Sequence, residues 1–280
     1  MKAHILAIAA LLLLGSFAQA AEPACQSTLF PALVRSVVSI ERMFDADEVQ
    51  IENGKTIYGI RGVAWWLAPR MLVTIEHVAT ASKLNDDWKK VTLSWGDTKD
   101  GPASHSFETK ARFKELVPGD QKLEYLALLE VENEPPGAVS ASVRATPLRN
   151  GEPVIGVGYK DQKLRFAEGR LIFPKFSEEG PQVAVVPLPY LPFELYDSDL
   201  SKNDRYVFDH GASGSPLFDC NGEAVAVTQG LQTSTLTFFQ GQSIRVTTPW
   251  GTANESGIST ASLATVQWNM MHNPRRSRPK

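Results

Sequence analysis

The stretch FDHGASGSPLFDCNGEAVAV, Phe208–Val227, decides how the rest of the chain is interpreted. It contains Ser213 and Ser215 in a glycine-bracketed turn, directly before an Asn-Gly pair that is typical of a β-hairpin. A Gly-x-Ser-Gly sequence is common in tight turns, so it does not by itself distinguish a nucleophile from a structural turn. The distinction depends on whether the chain also supplies a base, an acid and a suitable fold.

The N-terminus has the charged, apolar and small-residue order of a secretory signal peptide. Lys2 is followed by an apolar run, Ile5–Leu14, and then by Ala-Gln-Ala at 18–20. The apolar run is too short to span a bilayer well. We predict cleavage after Ala20 and an exported product, either periplasmic or secreted.

Cysteine usage agrees with export. Only Cys25 and Cys220 are present, and an even pair in an oxidising compartment predicts a disulfide between them, with two free thiols as the alternative. Such a bond would tie the mature N-terminus to the neighbourhood of Ser213.

Composition limits the classes of partner and cofactor. The 280 residues carry a formal net charge of −3, which disfavours a nucleic acid as partner. No later apolar run is long enough for a membrane span. The sequence contains no zinc-type Cys/His spacing, no phosphate-binding loop and no EF-hand, so we expect no metal and no cofactor.

Short β-branched and aromatic segments, bounded by Gly, Pro, Asn or Asp, dominate the chain and favour a sandwich or a barrel. The turn-rich segment 130–153 divides these strands into two groups and is interpreted as the junction of two β-barrels. One helical pattern runs from about 259 to 270. The basic tail, 271–280, is expected to be a solvated end, with contact to an anionic surface as the alternative.

A candidate base lies far upstream of the serines. His77 follows a strand in TIEHVATA and precedes Ser213 by 136 residues, with strands between them. This order excludes the α/β-hydrolase arrangement, in which the histidine follows the serine.

Both blocks resemble those of the trypsin-like, chymotrypsin-fold serine proteases. TIEHVATA resembles the block around the family's general base, and GASGSPLFDCNGEAVAV resembles the block around its nucleophile. The Ser-Gly-Ser-Pro form is most similar to the glutamyl endopeptidases, and GEPVIGVGYK and FAEGRLIF resemble second-barrel strands of HtrA-type proteases.

The resemblance implies an all-β fold of two antiparallel six-stranded β-barrels with a short C-terminal helix. It assigns residues 21–270 to one protease domain, with barrel one at about 30–145, barrel two at about 146–258 and the helix at about 259–270. The implied function is that of an exported serine endopeptidase with a polypeptide substrate.

The resemblance also assigns roles around the turn. Ser213 would be the nucleophile, with His77 removing its proton and later protonating the leaving amine. Gly211 and Gly214 would let the turn aim the amides of Gly211 and Ser213 at one point, forming an oxyanion hole. Ser215 is expected to be a structural hydroxyl.

The third catalytic group departs from the family pattern. In KLEYLALLEVE, Tyr125 occupies the position where the family carries aspartate, and Glu124 lies one residue earlier. Because a one-residue shift reverses side-chain direction in a strand, Glu124 can serve only if the chain bulges or the strand starts after it. The alternatives are a His77–Ser213 dyad oriented by Tyr125, or an acid from elsewhere such as Asp120.

The specificity pocket is assigned to Val207, His210 and Thr228. Val207 stands where trypsins carry an aspartate, so cleavage after Lys or Arg is not expected, and small or apolar side chains are favoured. The Tyr125 departure also motivates a second hypothesis, a catalytically weak or inactive protease-like module that binds peptides or envelope proteins.

Overall fold

The computed structural model describes Cys25 and residues 30–118, 125–149, 151–171, 191–196, 211–231, 234–237, 243–246 and 253–272. The elements up to the middle of the chain are α1 (Phe30–Ser36), β1 (Val37–Met43), β2 (Gln50–Glu52), β3 (Lys55–Ile57), β4 (Gly59–Ala68), β5 (Met71–Ile75), α2 (Glu76–Ala81), β6 (Lys89–Trp95), β7 (His105–Pro118) and β8 (Tyr125–Val131). Those that follow are β9 (Pro153–Lys160), β10 (Lys163–Leu171), β11 (Leu191–Tyr196), β12 (Pro216–Phe218), β13 (Ala224–Leu231), β14 (Ser234–Thr237), β15 (Ser243–Val246), β16 (Ala253–Ser259) and α3 (Ala261–His272).

Twelve of these strands close into two antiparallel rings. The first ring has the order β1-β4-β5-β8-β7-β6, and the second has the order β10-β11-β16-β13-β12-β9. When the six strands are renumbered within each ring, both orders become 1-2-3-6-5-4. The hairpins β2–β3 and β14–β15 are additions to this shared plan. The expected all-β fold with two six-stranded barrels and a short C-terminal helix is therefore confirmed.

Two tight turns have the backbone that a two-residue hairpin requires. Asn53 and Gly54 have φ values of 49° and 75° between β2 and β3. Asp161 and Gln162 have φ values of 51° and 60° between β9 and β10. Positive φ at both central residues matches the twist of the flanking strands and fixes the register of each hairpin.

The hairpin at Asn221-Gly222 is built differently. Gly222 has a φ of 80°, whereas Asn221 is not among the residues with positive φ. The Oδ1 of Asp219 accepts hydrogen bonds from the amides of Asn221 at 2.9 Å and Glu223 at 3.0 Å. The side chain of Asp219 therefore organises a longer link between β12 and β13.

The core of the first barrel is formed by runs of continuously buried strand residues, which is typical of strands covered on both faces. All residues of Met71–Ile75 are buried. Trp65 and Trp66 on β4 are also both buried, although strand alternation predicts only one indole inside. Both are covered because α3 and the segment around Ala141 pack against this end of β4.

One glutamine attaches α3 to the first barrel. The Nε2 of Gln267 donates to the carbonyls of Leu67 at 2.8 Å and Ala141 at 2.7 Å, and its Oε1 accepts from the amide of Val143 at 2.9 Å. The side chain is 7% exposed. This glutamine therefore joins α3 to β4 and to the segment that connects the two barrels.

The barrels also meet through the segment between β6 and β7. The Tyr159 hydroxyl on β9 accepts a hydrogen bond from the Gly96 amide at 3.0 Å, and Arg165 pairs with Asp100 at 2.8 Å. Burial raises the pKa of Tyr159 well above its usual range, so the phenol stays neutral.

Other expectations have mixed outcomes. The predicted disulfide is confirmed: Cys25 and Cys220 are bonded, with their Cα atoms 4.8 Å apart. Helix α1 was not expected from the sequence.

The signal peptide, residues 1–20, and most of the basic tail, from 273 onward, lie outside the described residues, and the domain boundaries stay predictions. Among the helices described, none has the length and apolar character needed to cross a membrane.

Candidate active site

The turn that carries Ser213 depends on two glycines with the same unusual backbone. Gly211 has a φ of 92° and Gly214 a φ of 94°, a region that other residues rarely adopt. Their surroundings differ. A Cβ added at Gly211 meets no described residue within 4 Å, whereas one at Gly214 lies 2.0 Å from the Val63 carbonyl oxygen and 2.5 Å from the Thr74 Oγ1.

Hydrogen bonds fix the shape of the turn. The Gly214 amide donates to the Thr228 carbonyl at 2.9 Å, and the Ser215 amide donates to the Ala212 carbonyl at 3.1 Å. The Ser215 hydroxyl donates to the same carbonyl at 2.6 Å and is fully buried. Ser215 therefore has the geometry of a structural hydroxyl.

The Ser213 turn is joined directly to the first barrel. The Val63 amide on β4 donates to the Ser213 carbonyl at 2.9 Å. The Val63 carbonyl accepts the Thr74 hydroxyl of β5 at 2.7 Å. The close approach of Gly214 to both residues completes this contact, so the turn of the second barrel lies against β4 and β5.

His77 is the second residue of α2, which begins directly after β5. The sequence predicted a small-residue turn here; the structure has a six-residue helix instead. The His77 side chain is exposed, whereas the next residue, Val78, is buried and faces β4. A Cβ at Gly62 would lie 2.5 Å from the Val78 Cγ1, so this glycine allows α2 to approach the strand.

The two candidate segments therefore converge on adjacent residues of β4. The helix that carries His77 packs on Gly62, and the turn that carries Ser213 bonds to Val63. The sequence contained one signal for this contact, because an isolated glycine within a strand marks a close approach. Thr74 carried no such signal, since threonine is common in strands for other reasons.

The Ser213 hydroxyl has a main-chain partner. Its Oγ donates to the Gln229 carbonyl at 3.3 Å, and no second hydrogen bond of this Oγ is found in the described part of the chain. The register between β13 and β16 shifts between Thr228 and Gly230. A bulge of this kind redirects one peptide group, here the one next to Ser213.

Two amides bear on the expected oxyanion hole. Those of Gly211 and Ser213 donate to no acceptor among the residues that the structure describes. They stand on either side of Ala212, whose carbonyl is occupied by Ser215. The assignment of these amides to an oxyanion hole stays a prediction.

Glu124 and Asp120 lie outside the described residues, and Glu124 immediately precedes the first residue of β8 in the sequence. Tyr125 is 37% exposed, and the next residue, Leu126, pairs with Ile75 directly before α2. Within the described residues, no hydrogen bond joins the Tyr125 hydroxyl to His77. The identity of the group that orients His77 stays a prediction.

Of the three expected pocket residues, Val207 and His210 lie outside the described residues. Thr228 is 3% exposed and its amide donates to the Ser215 carbonyl at 2.7 Å. Its Oγ1 is buried without a hydrogen-bond partner in the described part of the chain.

A buried arginine supports the far end of α2, which the sequence did not reveal. Arg42, 2% exposed, donates from Nη1 to the Ser82 carbonyl at 3.0 Å and pairs with Glu48. Partial burial would raise the pKa of Glu48, but hydrogen bonds from Arg42, the Asp45 amide and Lys89 outweigh it and lower the pKa to about 2.

In the ranges that the structure describes, no group of three or more His, Cys, Asp or Glu side chains could hold a metal ion. The candidate site therefore consists of Ser213, His77 and the turn formed by Gly211 and Gly214.

No protein-family model matches the sequence, and no curated protein matches it. Solved structures similar to the chain include crystal structures of Rv3671c from M. tuberculosis. The active form of the Rv3671c protease is 21% identical, covering 85% of this chain and 81% of that chain with a TM-score of 0.48. An inactive form is 20% identical, covering 84% of this chain and 88% of that chain with a TM-score of 0.47.

These identities and TM-scores are too low to transfer an activity or a residue role. The chymotrypsin-like fold rests instead on the chain's own strands, which close into two rings of the same order. The glutamyl endopeptidase and HtrA-type likeness stays a prediction.

Proposed function

We propose that this chain is an exported serine endopeptidase that hydrolyses peptide bonds through an acyl-enzyme intermediate. One observation carries the proposal: the helix bearing His77 and the turn bearing Ser213 both contact the Gly62–Val63 pair of β4. A base and a hydroxyl brought to one strand from distant parts of the chain are the first requirement of nucleophilic catalysis. The signal-peptide pattern and the disulfide support export.

In acylation, the Ser213 Oγ attacks the carbonyl carbon of the scissile bond while His77 takes its proton. The hydroxyl must first turn away from the Gln229 carbonyl, a weak 3.3 Å partner, towards the imidazole. The imidazolium then gives the proton to the departing amine, and the carbon–nitrogen bond breaks. Water repeats the attack on the ester, with His77 as base, and releases the carboxylic acid and free Ser213.

Charge develops on the carbonyl oxygen in both steps. We assign its stabilisation to the amides of Gly211 and Ser213, whose orientation depends on the positive φ of the two glycines. Loss of one such donor costs roughly 3 to 4 kcal/mol of transition-state stabilisation. Glu124 is proposed to orient His77 and to stabilise the imidazolium. Val207, His210 and Thr228 are proposed to line the pocket for the side chain before the scissile bond.

Covalent labelling tests the nucleophile. A fluorophosphonate probe should label the folded protein at Ser213, and Ser213→Ala should abolish labelling. The matched control is Ser215→Ala, which removes a hydroxyl in the same turn that donates a hydrogen bond to the Ala212 carbonyl. Labelling retained in Ser215→Ala and lost in Ser213→Ala supports the proposal, and absence of labelling in the folded wild type contradicts it.

Turnover of casein or a peptide library tests the hydrolysis reaction itself and the identity of the group that orients His77. We expect His77→Ala to remove turnover. If Glu124 orients His77, Glu124→Gln should reduce kcat about 10⁴-fold, whereas Tyr125→Phe should change kcat little. The reverse pattern would identify a dyad oriented by Tyr125.

The second candidate function is a protease-like binding module without useful turnover. The hydrogen bond from Ser213 to Gln229, together with tyrosine in the usual acid position, favours it. In that case wild type and Ser213→Ala should have equal background turnover and bind the same peptides with equal affinity.

A further inference from the structure

Helix α2, which carries His77, lacks the features that would hold so short a helix in place by itself. It has six residues, and the residue before it, Ile75, provides no side-chain cap for its first amides. Isolated helices of this length are unstable in water, so the position of α2 must come from contacts with the rest of the barrel. One such contact is Val78 against Gly62, directly after His77.

A second contact holds the opposite end of α2. Arg42 on β1 donates from its Nη1 to the carbonyl of Ser82, the residue that ends the helix, at 3.0 Å. Because the last carbonyls of a helix have no partners within the helix, a guanidinium at this place satisfies one of them and fixes its position. Attachment at Val78 alone would let α2 pivot, whereas attachment at both ends fixes the direction in which His77 projects.

The guanidinium of Arg42 is itself held on several sides. Arg42 is 2% exposed and pairs with Glu48, whose Oε2 also accepts the amide of Asp45 at 3.2 Å. Lys83, directly after the helix cap, donates from Nζ to the Glu48 carbonyl at 2.5 Å. The charged groups of Arg42 and Lys83 lie 5.5 Å and 5.0 Å from the centroid of the Phe44 ring. We call Arg42, Glu48 and Lys83 the arginine clamp.

Stability alone is a poor explanation of the arginine clamp. A buried ion pair gains little compared with apolar side chains of similar volume. The Nε of Arg42 is also buried without a hydrogen-bond partner in the described part of the chain, which is a further cost. What a buried guanidinium supplies is direction, because its planar fork of donors binds acceptors at fixed angles.

We propose that Arg42 is a positioning residue for His77 and acts on it through the C-terminal end of α2. This role rests on the proposed function, because it concerns the proton transfers between Ser213 and His77. Such a transfer needs the imidazole within hydrogen-bond reach of the serine oxygen. A misplacement of about 1 Å can lower the rate about 100-fold. Release of α2 at Ser82 should therefore slow the reaction at Ser213 and leave binding of the reactant unchanged.

Labelling by a fluorophosphonate probe tests this role without a known substrate, because saturation kinetics separate probe binding from reaction with Ser213. We expect Arg42→Met to lower the reaction rate about tenfold or more and to change the probe dissociation constant less than about twofold. Arg42→Lys, which can keep one of the two contacts, should restore part of the rate. In a His77→Ala background, Arg42→Met should lower the residual rate no further, because both changes remove the same contribution.

Folding is separated from positioning by two further measurements. All rates are compared under conditions in which urea unfolding shows each variant to be folded. If Arg42→Met does not fold, Lys83→Met loosens the clamp from its more exposed side and should slow labelling about threefold. The amides of residues 82–84 donate to carbonyls of α2, so their hydrogen exchange should be faster in the clamp variants. Unchanged exchange at these amides would overturn the proposed role, because Arg42 would then not act through the helix end.

Arg112→Met is the matched control. Arg112 is partly buried and pairs with Glu130 between β7 and β8, and among the residues described it makes no hydrogen bond to α2. The control should lower the free energy of unfolding and leave the labelling rate unchanged. Equal losses of rate in Arg42→Met and Arg112→Met, or a wild-type rate in folded clamp variants, would overturn the role of Arg42 and leave the proposed function intact. Absence of labelling in the folded wild type would overturn both.

Discussion

At the scale of single residues, the Ser213 turn depends on two glycines that share a backbone conformation but have different surroundings. Gly211 and Gly214 share a positive φ, but only Gly214 has a backbone oxygen within 3 Å of the point that an alanine methyl group would occupy. Gly214→Ala should therefore lower the free energy of unfolding by the strain of the backbone, about 1 to 2 kcal/mol, plus the cost of displacing Val63 or Thr74. Urea unfolding measures the difference.

Gly211→Ala is the matched control, because it carries the backbone strain without a clash against any residue that the structure describes. We expect it to cost about 1 to 2 kcal/mol, and clearly less than Gly214→Ala. Equal losses for the two variants would mean that the turn can move away from β4 and β5. The structural basis of the candidate site would then be weaker than the contacts of Gly214 suggest.

Glu48 predicts a pH dependence of stability. Its pKa is about 2 in the folded protein and 4.5 in the unfolded chain, so its contribution is present above pH 4.5 and is lost as the pH falls towards 2. With a side chain 16% exposed, the contribution at neutral pH is about 2 to 3 kcal/mol. Unfolding by urea between pH 7 and pH 2.5 should therefore show Glu48→Gln as destabilised at pH 7 and converging on wild type in acid.

The control for this titration is Glu52→Gln, on the exposed strand β2. We expect it to track wild type across the whole range. A constant difference between Glu48→Gln and wild type from pH 7 to pH 2.5 would show that packing, and not the charge of Glu48, supports Arg42 and the end of α2.

At the scale of elements, the attachment of α3 depends on one buried amide. Gln267→Ala would leave two carbonyls and one amide without partners at the contact with Leu67, Ala141 and Val143. An unsatisfied buried group costs about 1 to 3 kcal/mol, so we expect a loss of about 3 kcal/mol or more in urea unfolding. Asn269→Ala, an exposed position on the same helix, should change the free energy of unfolding by less than about 0.5 kcal/mol. Comparable losses for Gln267→Ala and Asn269→Ala would contradict the role of Gln267 in attaching α3.

Individual elements differ in how far the sequence predicts them. The β-rich pattern and the C-terminal helix were predictable because their apolar residues and flanking turn residues agree. The turn at Asp161-Gln162 was harder, because neither residue is a glycine although both have positive φ. Helix α2 replaces an expected turn, since six residues are too few for a helical period to emerge.

At the scale of the whole molecule, the two barrels repeat a topology without an evident repeat in sequence. Both rings have the strand order 1-2-3-6-5-4, yet the insertions β2–β3 and β14–β15 fall at different points of the order. Barrel closure needs only alternation, turns and register, which many residue choices satisfy. The order could be expected here only through resemblance to a family.

The candidate site lies where the two barrels meet, and this explains what the sequence could tell of it. His77 and Ser213 were identifiable as residue types within blocks, but their convergence on β4 depends on contacts between residues about 150 apart, such as Val63 with Ser213. Gly62 carried a local signal for this approach, and Thr74 and Arg42 carried none. Long-range packing of this kind leaves no periodicity in the chain.

The same long-range closure makes the disulfide a test of the whole molecule. Cys25 and Cys220 are 195 residues apart, so the bond removes up to about 5 kcal/mol of chain entropy from the unfolded state. We expect the Cys25→Ser/Cys220→Ser protein to lose about 3 to 5 kcal/mol in urea unfolding, with reductant producing the same loss in wild type and none in the variant. Because Cys220 lies seven residues after Ser213, labelling of Ser213 in the folded variant separates two roles. If the folded variant is labelled at the wild-type rate, the disulfide acts mainly on the unfolded chain. If the fully folded variant is labelled more slowly, the disulfide also holds the Ser213 turn in place. An unchanged free energy of unfolding in the variant would contradict the prediction.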